Sequence, residues 1–261
     1  MIGGSSPPAG PPAIVGTAGW SIPALNSQAF PPSGTALQRY AGCFQGVEIN
    51  SSFHRPHRRS TWERWAASVP EDFRFAAKLP KAITHQAKLR GAEAAVCEFL
   101  DQAGAMGPKL AILLVQLPPS LAFDEESAAS FFVMLGRSSD AGIACEPRHP
   151  SWFEPGADAL LRAHRIARVA ADPSRLPAAA LPGGWRGLSY WRLHGSPIMY
   201  RSPYGPERLP AYADLIADEA KAGREAWCIF DNTASSAAMG DALMLRRLLE
   251  GSVAGQSPLS P

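Results

Sequence analysis

Glu146 and Arg148 lie two residues apart at the end of the run Gly142–Arg148, and Arg192 and His194 two apart at the end of Leu188–His194. Asp172 and Asp231 close two further apolar runs, Ile166–Asp172 and Ala226–Asp231. On an extended chain a spacing of two puts both side chains on one face. Carboxylates and an imidazole held together can serve as proton acceptor and donor once their pKa values are driven apart. Arginine and lysine beside them can hold a phosphate or carboxylate. We take Glu146, His194, Asp172 and Asp231 as candidate catalytic residues, and Asn50, Lys78, Gln116, Arg148, Arg192, Asn232 and Tyr204 as candidate substrate-binding residues. The chemistry they fit is metal-free acid–base work on an anionic, phosphorylated substrate.

Other chemistries fit less well. Glu146, Asp172, His194 and Asp231 close four successive runs and could converge on one ion. Lys78, Arg148 and Arg192 would repel that ion, and no His-x-His or His-Glu-x-x-His motif occurs. No metal ligand is assigned and no cofactor is named. There is no Gly-x-Ser-x-Gly nucleophile motif, and Gly-Thr-Ala-Gly (16–19) lacks the Gly-x-Gly-x-x-Gly spacing of a dinucleotide site. Those glycines read instead as a place of close backbone approach. His85 and His149 are weaker candidates.

Elements that must position these residues alternate along the chain. Eight apolar runs, Ala13–Gly19, Val47–Phe53, Phe73–Leu79, Leu110–Leu117, Gly142–Arg148, Ile166–Asp172, Leu188–His194 and Ala226–Asp231, read as strands. Helical patterns follow most of them, at Gly34–Phe44, Ser60–Ser68, Gly91–Ala105, Asp124–Arg137, Gly156–Ala163, Leu209–Ala222 and Ala237–Leu249. Ser60 with Glu63 reads as a capping box, and Asp124 as a helix cap. Three prolines in Pro173–Gly184 predict a loop or short turn after strand 6. The expected fold is α/β, a single-domain eight-stranded parallel (β/α)8 TIM barrel, irregular after strand 6. Its 261 residues match the ~250 typical of such a barrel. Residues 1–12 and 251–261, rich in Gly, Ser and Pro, read as disordered tails around a domain at 13–250.

Counting back by two from each strand end predicts an inward set. It holds Glu48, Asn50, Lys78, Gln116, Glu146, Arg148, Arg168, Ala170, Asp172, Tyr190, Arg192, His194 and Asp231. So many charges can share an interior only as pairs. Arg168 and Arg192, the deeper ones, are expected to pair with Glu48. The opposite parity, including Val47, Ile49, Phe75, Val115, Val169 and Leu193, is apolar and should pack on helices.

A net charge of +2 creates no field drawing the whole chain to nucleic acid or membrane. His54–Arg90 is different, holding nine Lys and Arg against three acids. That basic rim supports an alternative function, a nucleic-acid-binding barrel without catalysis. Trp20, Phe53, Trp62, Trp152, Phe153, Tyr200 and Tyr204 could pack the loops or stack on a base or sugar ring. Cys43, Cys97, Cys145 and Cys228 form no Cys-x-x-Cys pair, and the last two sit in strands as small hydrophobes. No signal peptide or membrane span is read, so the expectation is a cytoplasmic protein with a small anionic substrate and no membrane partner.

The motifs Gly-Thr-Ala-Gly-Trp (16–20), Glu-Ile-Asn-Ser-Ser-Phe (48–53), Lys78 with Ile-Thr-His (83–85), Gln-Leu-Pro-Pro (116–119), Glu-Pro-Arg-His-Pro-Ser-Trp (146–152), Tyr-Trp-Arg-Leu-His-Gly (190–195) and Phe-Asp-Asn-Thr (230–233) run in order through nearly the whole chain. Together they resemble the YecE-like family, domain of unknown function 72. The resemblance implies a barrel and no assigned reaction. The suggested likeness of that barrel to metal-dependent DNA-repair endonucleases and sugar isomerases is fold analogy alone. Pro147 departs from the family's usual Phe, and Asp231 stands where Asn-Asn is common. The functional expectation is an enzyme of hydrolase or lyase type acting at the C-terminal ends of the strands.

Overall fold

Leu110–Gln116 is apolar on both parities until its last residue, as a strand covered on both faces must be. The other main strands share that character, and helices cover their outer face. The computed structural model describes residues 13–174 and 176–254. In chain order the elements are β1 (Ile14–Thr17), α1 (Ala36–Ala41), β2 (Gly46–Ile49), α2 (Arg59–Ala67), β3 (Arg74–Lys78), α3 (Glu93–Ala103), β4 (Leu110–Gln116), α4 (Glu125–Ser138), β5 (Gly142–Glu146), α5 (Pro155–Ala163), β6 (Ile166–Arg168), β7 (Ala170–Asp172), β8 (Gly183–Gly184), β9 (Leu188–Leu193), α6 (Gly205–Lys221), β10 (Glu225–Phe230) and α7 (Ala237–Ala254).

These strands make two sheets, ordered β1-β10-β9-β7 and β2-β3-β4-β5-β6-β8. All pairings are parallel except β6 with β8. All eight expected strands are present. Among the described residues no ladder closes them into one continuous barrel: β1 and β2 lie side by side but share a single bridge, Ala18–Glu48. The expected sixth strand is split at Val169, its first half paired with β5 and its second with β9. After it, prolines leave only a short turn at Pro177–Ala180 and the two-residue β8.

The two sheets share an interior. Ala76, Ile112, Leu114, Ala144, Ala167 and Val169 of one pack with Leu188, Tyr190, Trp227 and Ile229 of the other. A larger cluster, including Val47, Phe75, Val115, Cys145, Trp191 and Cys228, packs between strands and helices. The expected parity therefore holds on β2, β3, β4, β5, β9 and β10. On the sixth strand its phase is reversed. Ala167 and Val169 face inward, Ala170 packs on the helix side, and Arg168 points out to Asp158 of α5 and the ring of Phe153. Ile-Ala-Arg-Val-Ala-Ala-Asp carries small residues on both faces, so hydrophobicity could not set the phase.

Helix ends follow local chemistry. Asp124 caps α4, accepting the Ser127 amide at 2.9 Å. The expected Ser60–Glu63 box does not form. The helix begins one residue earlier, and Glu63 instead pairs with Arg59 at 3.1 Å, four residues before it. The capping box is on α1, where Thr35 and Gln38 satisfy each other's backbone amides. At Gly16, an added Cβ would collide with the Gly46 carbonyl oxygen, so the close approach expected of the Gly-Thr-Ala-Gly segment is that of β1 to β2. The expected tail at 1–12 lies outside the described residues, and α7 continues past Leu249 to Ala254.

Candidate functional site

Strand ends bring the inward charges together at one pole of the sheets. Arg192 near the end of β9 is wholly buried and sits at the centre of three carboxylates. Its Nε and Nη2 donate to both oxygens of Glu48 at 2.9 and 2.6 Å. Nη1 donates to Glu146 Oε2 at 2.6 Å, and Nη2 also to Asp231 Oδ2 at 3.0 Å. The planar, five-donor fork of arginine makes this possible; a lysine could not span the three. The expected pairing of Arg192 with Glu48 is thus present, while Arg168 takes no part. The space between carboxylates where a cation might bind is filled by a guanidinium.

His194 follows β9 and spans two of the same acids. Nδ1 lies 3.0 Å from Asp231 Oδ2 and Nε2 lies 3.1 Å from Glu146 Oε1. An ionised carboxylate only accepts, so both contacts are satisfied when the ring is an imidazolium with a proton on each nitrogen. Burial works against that charge, but Glu146 and Asp231 outweigh it and raise the His194 pKa. The reciprocal holds for the acids. Burial would raise Glu146, yet Arg192, His194 and Arg148 hold its carboxyl well below the usual range. Asp231 is lowered in the same way, by Arg192 and His194 against burial. Arg148 reaches Glu146 Oε1 with Nε and Nη2 at 3.2 and 3.1 Å, and Gln116 donates to Oε2 at 2.9 Å. Glu146 thereby accepts from four side chains.

Three carboxylates are matched by Arg192, Arg148 and His194, and Lys78 is the cation left over. It is 6% exposed at the end of β3; its carbonyl accepts from the Ser52 hydroxyl at 2.7 Å, but among the described residues its ammonium has no hydrogen bond or ion pair. Its Nζ lies 4.0 Å from the centre of the Phe53 ring. Burial and the nearby Arg192 charge outweigh the more favourable pull of Glu48, Glu146 and Asp231, lowering its pKa to about 8. Around it stand His85, whose pKa is lowered by burial and by Lys78 and Arg148, and Asn50, whose buried Oδ1 has no partner. At the same strand ends, a cavity of about 270 Å³ is lined in part by Thr17, Gly19, Ser21, Thr233 and Ser236.

Three expected site residues lie elsewhere. Asp172 faces α6, accepting from Arg208 at 3.0 Å and from the Tyr204 hydroxyl at 2.7 Å. Tyr204 also accepts the Gly195 amide at 3.0 Å. Asn232 donates to Asp241 at 2.7 Å and to the Ser202 carbonyl at 3.0 Å, and Asp241 in turn takes the Tyr204 and Gly205 amides. Together these residues clamp the segment 195–204. That segment carries Tyr200, whose ring stands edge-on 5.7 Å from His194 and whose amide bonds the His194 carbonyl. Arg208 and Asp241 lie on helices with no motif to mark them, and only the packed structure reveals their part.

Most expected stacking aromatics are used inside the protein. Trp20 and Trp62 pack on Trp65, Trp152 donates to the Leu121 carbonyl, and Phe153 lies under Arg168. Two arginines of the basic rim, Arg59 and Arg90, already face Glu63 and Asp124. The nucleic-acid alternative draws no support from these contacts. No helix among the described residues is long and apolar enough to cross a membrane.

The fold and site define an α/β protein of parallel strand–helix units with a buried arginine-centred charge cluster at the strand C-termini. The chain belongs to the family described as "Protein of unknown function DUF72", which matches residues 14–261. It is 31% identical over 124 residues to the UPF0759 protein YecE of Escherichia coli K12, covering 48% of this chain and 45% of that protein. To the UPF0759 protein YunF of Bacillus subtilis it is 29% identical over 150 residues, 54% of this chain and 52% of that one. The chain thus spans about half the length of the curated relatives it matches. Crystal structures of DUF72 family proteins share the fold. One from Enterococcus faecalis superposes with a TM-score of 0.76 at 19% identity, covering 91% of this chain and 95% of that one. One from Thermotoga maritima gives 0.73 at 23%, covering 91% and 99%.

Proposed function

We propose that the two sheets act as the wall of one barrel and that its C-terminal mouth binds a small anionic substrate, on which the protein acts as a hydrolase or lyase. The interior cluster shared by both sheets supports the barrel reading. The observation carrying the function is the state of Lys78, a buried cation whose neighbouring carboxylates are all committed to other partners. A buried charge without a partner is costly, and an anionic ligand supplies the missing one. Arg148 is the second donor, its Nη1 outside the Glu146 contact and its guanidinium also beside the Tyr200 hydroxyl, which a ligand would meet together with it. His194 is the acid–base residue of the site, and because both ring nitrogens lie on Glu146 and Asp231, protons pass between the ring and a ligand by way of those carboxylates.

Calorimetric titration of inorganic phosphate and a phosphomonoester into the wild type, Arg148→Lys and Lys78→Met tests the reading. Binding should weaken about tenfold or more in Arg148→Lys, because lysine keeps the charge but loses the two-pronged geometry. Equal affinities in all three proteins would show that Arg148 is only a counter-charge for Glu146 and that the mouth does not take anions.

A further inference from the structure

We propose that Lys78 is a nucleophilic amine that condenses with a small carbonyl compound bearing a carboxylate or phosphate, forming a Schiff base at the end of β3. This rests on the reading that the mouth takes an anion, and it assigns the reaction to the lyase type.

Lys109 is the internal contrast. It is 8% exposed, nearly as buried as Lys78, and every sign of a structural lysine is present. It donates to the Ala66 and Val69 carbonyls at 2.9 and 3.0 Å and pairs with Glu71 at 3.3 Å. Lys78 has none of these. Its ammonium ties no strand to a helix and caps no chain end. It lies over the face of Phe53, beside the Glu146–His194–Asp231 cluster, with the small residue Ala76 beneath it on the same face.

Burial also supplies the reactive form. An amine attacks a carbonyl only when neutral, and with a pKa of about 8 roughly a quarter of Lys78 is neutral at pH 7.5. An ordinary lysine with a pKa of about 10.4 is neutral to only about 0.1% there. The free-amine advantage is thus of order 200-fold.

The step balances without any outside redox agent. The Nζ lone pair forms a C–N bond to the carbonyl carbon. The C=O π pair moves to oxygen, which takes up the proton that nitrogen gives up, leaving a neutral carbinolamine. A proton from solvent then reaches the hydroxyl, water leaves, and the nitrogen lone pair forms the iminium. The iminium carries the one positive charge that the ammonium form of Lys78 carried, so the charge facing Glu146, Glu48 and Asp231 is that of the protonated amine. Arg148 is placed to hold the anionic group.

Borohydride trapping of the full-length protein tests this. The protein is incubated separately with pyruvate, glyoxylate and glyceraldehyde 3-phosphate, reduced, and mapped by peptide mass spectrometry. The exposed Lys88 serves as internal reference. With at least one compound, Lys78 should be modified at least about tenfold faster than Lys88, with a pH midpoint near 8. The two carboxylate compounds and the phosphate compound tell which anionic group the mouth prefers. Labelling of Lys78 no faster than Lys88 with all three would overturn the proposal. Because labelling is read site by site in the wild type, the test does not depend on a variant folding. Phosphate binding that depends on Arg148, without a Lys78 adduct, would leave the anion reading standing and remove the Schiff base alone. Loss of both would remove both.

Discussion

Replacing Arg192 by methionine should expose how the charge cluster is held. The guanidinium serves Glu48, Glu146 and Asp231, but these acids depend on it unequally. Without Arg192, Glu146 keeps Gln116, Arg148 and His194, and Asp231 keeps His194. Among the described residues Glu48 keeps only the Tyr190 hydroxyl, at 3.0 Å, and it is wholly buried. Removing one partner of a buried pair costs about 3–5 kcal/mol, most of it the exposed penalty of the charge left behind. For a domain of this size each kcal/mol moves Tm by about 2–4 °C, so Arg192→Met should melt about 6–20 °C lower. Glu48→Gln in the Arg192→Met background should recover most of that loss, since it removes the stranded charge. Glu146→Gln or Asp231→Asn in the same background should not, because those acids are still paired. Thermal melts of the wild type, the single variants and the three doubles, read as double-mutant cycles, decide the matter. An unchanged Tm for Arg192→Met, or equal rescue by all three acid variants, would refute a network centred on Arg192 and Glu48.

The His194 pKa is raised, so its contribution to stability is complete below its unfolded value of 6.5 and is lost as pH rises through the folded one. Lys78 works in the opposite sense above about pH 8, so the quantity to follow is the difference in Tm between wild type and His194→Asn; it should shrink as pH rises past neutrality, and a constant difference would show that His194 is not an imidazolium. Glu146 and Asp231 have lowered pKa values, so their contribution is present above the unfolded carboxylate range and lost as pH falls through the folded values; Glu146→Gln should therefore flatten the acid limb of the melting profile. Tyr204→Phe strips a hydroxyl from the Gly195 amide and from Asp172, a loss of about 1–3 kcal/mol, and hydrogen exchange should find the Gly195 amide deprotected while β4 is unaffected. Gly16→Ala forces a Cβ against the Gly46 carbonyl and should cost about 1–3 kcal/mol or more in urea unfolding. Gly104→Ala, with open space around it, should stay within about 0.5 kcal/mol of wild type.

What the sequence determined by itself is local in origin. Side chains alternate along any strand, so Glu48, Lys78, Gln116, Glu146, Arg192, His194 and Asp231 were placed on the interior face from their spacing alone. The alternation of strands and helices was legible for the same reason, as was the Asp124 cap, whose partner is three residues away. What only the tertiary structure decided depends on neighbours distant along the chain. Parity gives a strand two faces without saying which is inside, and in Ile166–Asp172 alanines on both faces left the phase open. Packing against β5, β9 and α5 put Arg168 outside and turned Asp172 toward Tyr204 and Arg208. The split at Val169, and the single bridge between β1 and β2, likewise depend on strands distant along the chain. Partner choice was legible only in part: the pairing of Arg192 with Glu48, 144 residues away, followed from their shared depth, but the further contacts of Arg192 with Glu146 and Asp231 did not. That choice leaves Lys78 without a carboxylate, because the Coulomb energy of a buried charge is set by who stands within a few ångströms of it, and only the folded chain determines that.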